Sequence, residues 1–293
     1  MLSIIICSIS PEYVQRLTQN INETIGVEYE IIAIDNREKK WPIARVYNEG
    51  ARKARYPFLF FVHEDVKFHS LNWGEIIEEK LKEPDCGVIG FAGSKAKFAN
   101  YSGWVQYRRL NYTFYYQGKK GVSMLSVANV TLKHPFEEVV ILDGLGLFVR
   151  KDVWNIYPFD EEVLTGFHCY DIDFTLQIAA SRKYKNYVCC SPKVIIEHFS
   201  EGNYNKSWFQ DTILLHDRKW SKILPLKVDG LELTEREMKR YDEHSFNRFM
   251  RKLLKTNYPR KGAVLWCFLK YPLLSWKHVG HCFQNIWSYF THF

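Results

Sequence analysis

Residues 60–66 read F-F-V-H-E-D-V, so an apolar run opens directly onto His63, Glu64 and Asp65. Acidic groups at the exit of a buried strand could hold a hard divalent cation such as Mg or Mn, which prefers oxygen ligands and completes its shell from substrate phosphates. The plain alternative is a solvated acidic turn. A second group, Asp171 and Asp173, lies in F-H-C-Y-D-I-D-F where a helical pattern begins. Carboxylates two residues apart fall on different sides of a helix, so one could face a cleft as a base while the other anchors the turn. Acids are also favoured at a helix start by capping and by the macrodipole alone. A third group follows in residues 195–208, I-I-E-H-F-S-E-G-N-Y-N-K-S-W. There His198 closes a strand pattern, and Ser200, Lys206 and Ser207 occupy a loop able to close over phosphate oxygens.

The elements that must position these groups alternate. Residues 2–9 are a continuous apolar run bounded by Ser10 and Pro11, as expected of a strand buried on both faces. Residues 11–25 read as helix, 30–34 as a strand ending in Asp35 and Asn36, 44–54 as helix and 58–62 as a third strand. This order predicts an α/β fold with a mostly parallel central sheet. Ligands bind such sheets at the carboxyl ends of the strands, here Cys7 and Ser8, Asp35 and Asn36, and His63 to Asp65. Further on, 75–82 reads as helix, 87–92 and 142–149 as strands, 170–180 as helix and 193–197 as a last strand.

Residues 95–142 differ in texture, rich in Tyr, Trp, Gly and basic residues, and read as an irregular or antiparallel insert over the sheet. Its rings, Tyr101, Trp104, Tyr107, Tyr112, Tyr115 and Tyr116, suit stacking on a sugar, with a protein contact surface as the alternative. Thr234 and Glu237 form a T-x-x-E capping box, and helical pattern runs on to about residue 256. The expected division is a catalytic domain over 1–225 and a helical, basic and aromatic extension over 226–293.

With 46% hydrophobic and 25% charged residues in 293, the chain is neither disordered nor fibrous. The net charge of +7 does not indicate nucleic acid, because eight of the 40 Lys and Arg fall after His244 with no Asp or Glu among them. Residues 1–243 therefore hold 32 basic against 33 acidic residues. Basic and aromatic segments such as 261–293 suit an anionic membrane surface, or else pack back on the catalytic domain; Pro272 would break a helix there. Seven cysteines without C-x-x-C spacing suggest a reducing compartment. The start lacks the basic region of a signal peptide, so a cytoplasmic location, with association to the cytoplasmic membrane face, is the expectation.

The ordered set resembles bacterial family 2-like glycosyltransferases of the GT-A fold over about residues 2–210, in the group whose metal strand ends in His-x-Asp rather than Asp-x-Asp. The resemblance implies a three-layer α/β/α domain that transfers a sugar from a nucleoside-diphosphate donor, UDP-linked, to a saccharide or lipid-linked saccharide in polysaccharide synthesis, with inversion. It implies Asp65 and His198 as ligands of Mn or Mg, and Asp171 as base with Asp173 in support. Tyr170 stands where the family carries a first acid. Donor contacts carry over to Cys7, Ser8, Asp35, Arg45, His63 and Glu64. Asp143 and Gly144, in L-D-G-L-G-L-F, fall on the acceptor side, with Trp104 from the insert, and Lys206 as a phosphate contact. Two rivals come from other classes: a nucleotidyltransferase, which would usually show a Gly-rich loop after the first strand, and a non-catalytic nucleotide-sugar or carbohydrate-binding protein.

Overall fold

The computed structural model of the chain describes residues 1–119, 121–131, 133–200, 202, 204–271 and 276–291. The first half runs β1 (Leu2–Ser8), α1 (Pro11–Thr24), β2 (Tyr29–Asp35), α2 (Ile43–Lys53), β3 (Phe58–Val62), β4 (Val66–Phe68), α3 (Trp73–Leu81), β5 (Cys86–Gly90), β6 (Ala92–Ser94) and β7 (Ala96–Lys97). It continues with β8 (Asn111–Lys119), β9 (Val122–Ala128), β10 (Phe136–Val139), β11 (Ile141–Leu142), β12 (Gly146–Arg150), α4 (Lys151–Ile156), α5 (Tyr170–Ala180), β13 (Lys185–Cys189) and β14 (Ile196–His198). The remainder is α6 (Lys206–Leu215), β15 (Leu226–Lys227), α7 (Glu235–Leu253), α8 (Lys261–Leu269) and α9 (Trp276–Thr291).

The main sheet has seven strands in the order β10-β13-β5-β12-β3-β1-β2. Its apolar runs are buried on both faces, which is why they do not alternate: Ile4, Ile6 and Phe60 pack under α1 and α3, while Ile5 and Phe61 pack under α2 and α5. Phe60 stacks on Phe148 with centroids 3.8 Å apart, tying β3 to β12 through the first of these cores.

The sheet is mixed where a mostly parallel one was expected. β1 pairs parallel with β2 and β3, and β5 with β13, but β12 runs antiparallel to both β3 and β5. That reversal has a functional consequence. Gly146 at the start of β12 pairs with Val62 at the end of β3, and the His63 amide donates to the Leu145 carbonyl at 3.2 Å. Residues 143–145 are therefore delivered to the mouth of β3, which a parallel strand would not do. The expected single strand over 142–149 is split there, because the Asp143 carboxylate accepts the Leu145 amide at 3.1 Å and closes a local turn.

A second sheet, β11-β6-β8-β14-β4 with β9 paired to β8, lies over the mouth and contains most of the antiparallel insert. Its β14 pairs with β4 so that His198 sits opposite Val66, and the Phe199 amide donates to the Asp65 carbonyl at 3.0 Å. The expected strand at 193–197 is thus shifted to Ile196–His198, and K-N-Y-V-C at 185–189, too polar to read as a strand, forms β13.

The capping box is present: the Thr234 hydroxyl accepts the Glu237 amide while the Glu237 carboxylate accepts the Thr234 amide. α7 packs through Phe246, Phe249, Met250 and Leu253 onto Phe209 of α6 and Phe268 of α8. It is fastened to the insert by Asn100, whose amides donate to Asp242 at 3.1 and 2.8 Å. α9 is two-faced: His278 and Asn285 are buried against α7, while Trp276, Phe283, Trp287 and Phe290 are 70–90% exposed. Pro272 and Phe293 lie outside the described residues. Among the described residues no helix is long and apolar enough to cross a membrane.

Candidate active site

The strand ends of β1 and β3, the turn before β12, the start of α5, β14 and the loop after it enclose a cleft of about 730 Å³. Cys7, Asn36, His63, Glu64, Asp65, Asp143, Gly144, Asp171 and His198 line it. It lies at the carboxyl ends of parallel strands, where such folds bind ligands.

His63, Asp65 and His198 converge, with one ligand atom from each lying within 4.8 Å of the others. His198 Nε2 is 3.5 Å from Asp65 Oδ1 and 3.4 Å from His63 Nδ1. At these separations one divalent cation could reach all three, so His63, Asp65 and His198 would be the residues to hold it. Burial works against ionisation of Asp65, but hydrogen bonds from His198 and Ser200 and the neighbouring imidazoles outweigh it and hold the carboxyl well below its usual range. Asp65 is the single anion of the set.

The proton inventory decides whether His63 fits. Tyr170 has one hydroxyl proton and donates it to the Gly144 carbonyl at 3.0 Å. Its oxygen, 2.9 Å from His63 Nε2, is then an acceptor, which places the imidazole proton on Nε2 and leaves the Nδ1 lone pair facing His198 and the cleft. Burial and the His198 charge push His63 down to about 4, so it is neutral at physiological pH. The donor set therefore fits a divalent cation, with Tyr170 orienting His63 from behind as partners outside the ligand set commonly do. Gly144 is required for this arrangement, since a Cβ there would collide with the Tyr170 hydroxyl.

Cys169 precedes α5 in the left-handed region, at φ 66°, an uncommon conformation for a non-glycine residue. It turns the chain so that Tyr170 and Asp171 enter the cleft. Burial, and then the Asp143 carboxylate, push Asp171 up to about 7. Asp143 is also raised, chiefly by burial. Two desolvated carboxylates in one cleft oppose each other's ionisation, an environment that suits a general base.

Asp173 is not brought into the cleft. It is fully buried and accepts from Lys219 Nζ at 2.8 Å, Gln177 Nε2 at 2.8 Å and Trp220 Nε1 at 2.9 Å, which makes it a clamp between α5 and the segment after α6. Asp173→Ala strands the buried Trp220 donor and the half-buried Lys219 and Gln177 donors, so it is expected to cost roughly 2–4 kcal/mol, or on the order of 5–10 °C in Tm. Thermal unfolding checks this, and an unchanged Tm with lost activity would return Asp173 to the chemistry.

The other expected residues divide. Cys7 lines the cleft as a thiol that burial pushes up to about 11, hence neutral. Trp104 lines it from the insert. The Glu64 carboxylate is taken up by the Ser8 hydroxyl at 2.7 Å and by the Ile9 and Ser10 amides, and so pins the start of α1 to the strand end. Asp35 is exposed and paired with Arg37 at 2.5 Å, outside the residues that line the cleft. Arg45 lies 4.1 Å over the Trp41 ring, and Lys206 is an exposed first residue of α6; neither lines the cleft.

Sequence reasoning missed Tyr47, a buried ring that lines the cleft 5.5 Å from the Tyr170 ring. It also missed Arg248 and Lys252 of α7. Their signal was present as an i,i+4 basic pair, but nothing in the sequence told that helix face from a solvated one.

The sequence matches the family model described as "Glycosyltransferase like family" over residues 3–214. No curated protein matches it significantly. Among solved structures, a mannosyltransferase from Pyrobaculum calidifontis in complex with GDP-Man and Mn2+ aligns over 98% of this chain and 84% of its own, at 9% identity and a TM-score of 0.50. S. aureus TarS 1–349 in complex with UDP aligns over 97% and 80%, at 14% identity and a TM-score of 0.49. GalNAc-T7 with UDP, GalNAc and Mn2+ aligns over 73% of this chain at 9% identity and a TM-score of 0.49, and this chain spans about half of that protein's length, 47%. At such identities the likeness is one of fold. The family match covers most of the chain and takes in the main sheet from Ser3 onward, so the protein belongs to the glycosyltransferase-like family and is built on the GT-A α/β fold.

Proposed function

We propose that the protein transfers a sugar from a nucleoside-diphosphate sugar, UDP-linked, to a hydroxyl of a saccharide or lipid-linked saccharide, as a step of polysaccharide assembly, with metal dependence and inversion. One observation carries this reading: the His63–Asp65–His198 donor set and the raised carboxylate of Asp171 share one cleft. A cation held there supplies charge stabilisation to the departing diphosphate. The two imidazoles favour Mn over Mg. Asp171 takes the proton of the acceptor hydroxyl, whose oxygen attacks the anomeric carbon from the face opposite the diphosphate, and direct displacement inverts that centre. Asp143 and Gly144 shape the acceptor side, and Trp104 offers a ring for stacking.

Release of nucleoside diphosphate from UDP- and GDP-sugars in the presence of Mn tests the reading. Because Asp171 acts only when ionised, kcat/KM is expected to rise with pH through about 7. Asp143→Asn removes a like charge and is expected to move that limb to lower pH by about one unit. A limb that does not move in Asp143→Asn contradicts the pairing.

The aromatic stripe of α9, with spacings of seven, four and three residues, lies on one helix face, and residues 253–293 around it carry five basic and no acidic residues. This supports contact with an anionic membrane from the cytoplasmic side. The full chain is expected to sediment with anionic vesicles and not with neutral ones, and to lose at least about tenfold in affinity when Trp276, Phe283, Trp287 and Phe290 are replaced by Ser. Vesicle binding unchanged in that variant sinks the idea.

A further inference from the structure

α7 presents Ser245, Arg248, Phe249 and Lys252 to the cleft, at the i, i+3, i+4 and i+7 positions of one helix face. Lys252 is half-buried, with Nζ 3.0 Å from the centroid of the Tyr204 ring, and among the described residues neither cation has a carboxylate partner. Burial, and then the neighbouring Arg248 charge, push Lys252 down to about 8. Two like charges one turn apart on a helix face repel each other, and an anion bound between them relieves that repulsion.

On the proposed reading the donor diphosphate is held at the strand ends by the cation of the His63–Asp65–His198 set, which belongs to other elements than α7. Tyr204, under Lys252, is the link to the acceptor side: its ring packs edge-on against Trp208 at 4.9 Å, and Trp208 lies against Gly103, the neighbour of Trp104. The basic pair therefore flanks the acceptor end of the cleft. We propose that Arg248 and Lys252 form a subsite for a phosphate-class anion carried by the acceptor, so that the helical extension selects acidic acceptors over neutral sugars. This inference rests on the sugar-transfer reading for the word acceptor, and on the α7 geometry alone for the anion.

The test titrates glycerol 3-phosphate, with glycerol as the neutral control, into the full chain both alone and saturated with UDP or GDP and Mn. Glycerol 3-phosphate is expected to bind in both arms and glycerol in neither. Arg248→Gln/Lys252→Gln is expected to weaken the phosphate at least about tenfold while nucleotide affinity stays within about twofold. Arg248→Gln alone, at an exposed position, is the control against misfolding and is expected to show a smaller loss in the same direction. Displacement of glycerol 3-phosphate by the nucleotide, or loss of nucleotide affinity in the double variant, would assign the pair to the donor and overturn the proposal. Failure of glycerol 3-phosphate to bind at all would also overturn it. If no nucleotide binds the wild-type chain, the sugar-transfer reading fails, while the arm without nucleotide still decides the anion site.

Discussion

Asp171→Asn is expected to lower kcat by about 10³-fold while leaving nucleoside-diphosphate affinity and the fold intact, because the amide keeps the shape of the carboxylate and removes only its ability to take a proton. The stability of this variant is itself informative. Asp171 is raised to about 7 chiefly by burial, so the folded protein pays for its ionisation as pH rises past its unfolded value. Removing that charge is expected to leave Tm unchanged at acid pH and to raise it slightly above neutrality. A residue that costs stability in the state in which it works is the usual trade at an active site. Loss of transfer accompanied by a large fall in Tm would point to a capping role for Asp171. Full activity in the variant would move the base elsewhere.

Asp65→Ala is expected to have an effect of similar size by a different route. Asp65 is the only carboxylate among the three converging side chains, so its removal leaves two imidazoles with no negative charge between them, a set that holds a divalent cation weakly. The expected outcome is loss of Mn-dependent nucleotide binding together with a fall in kcat/KM of at least about 10³-fold. Asp171→Asn should lose turnover and keep the nucleotide; Asp65→Ala should lose both. Measuring binding and turnover on the two variants separates the base from the metal site.

The strands and helices that carry these groups were legible because their apolar runs are long and unbroken. β3 was expected over 58–62 and α5 over 170–180, and both have those bounds, since burial on both faces and an uninterrupted helical pattern leave little room for another reading. The direction of β12 was not legible. A five-residue strand buried on both faces reads the same in either sense, and only its pairing with β3 and β5 shows that it brings Asp143 to His63. Side-chain partners were hidden for the same reason. Asp171 and Asp173 are equivalent in the D-I-D string, and the difference between a cleft carboxylate and a buried clamp depends on Lys219 and Trp220, more than forty residues away. Tyr170 looked like the loss of an acid. In three dimensions its hydroxyl sets the tautomer of the histidine that stands in place of the other missing acid.

The account turns on whether the His63–Asp65–His198 cluster binds a cation together with a nucleoside diphosphate. Thermal unfolding of the full chain with UDP and GDP, each with and without Mn, measures this directly. One of the nucleotides is expected to raise Tm by several degrees with Mn and by little without it, as linkage requires for a ligand that binds only the metal-loaded folded state. Asp65→Ala is expected to abolish the Mn-dependent part. If neither nucleotide shifts Tm in the presence of Mn, or if the shift is the same with and without the metal, the account is contradicted.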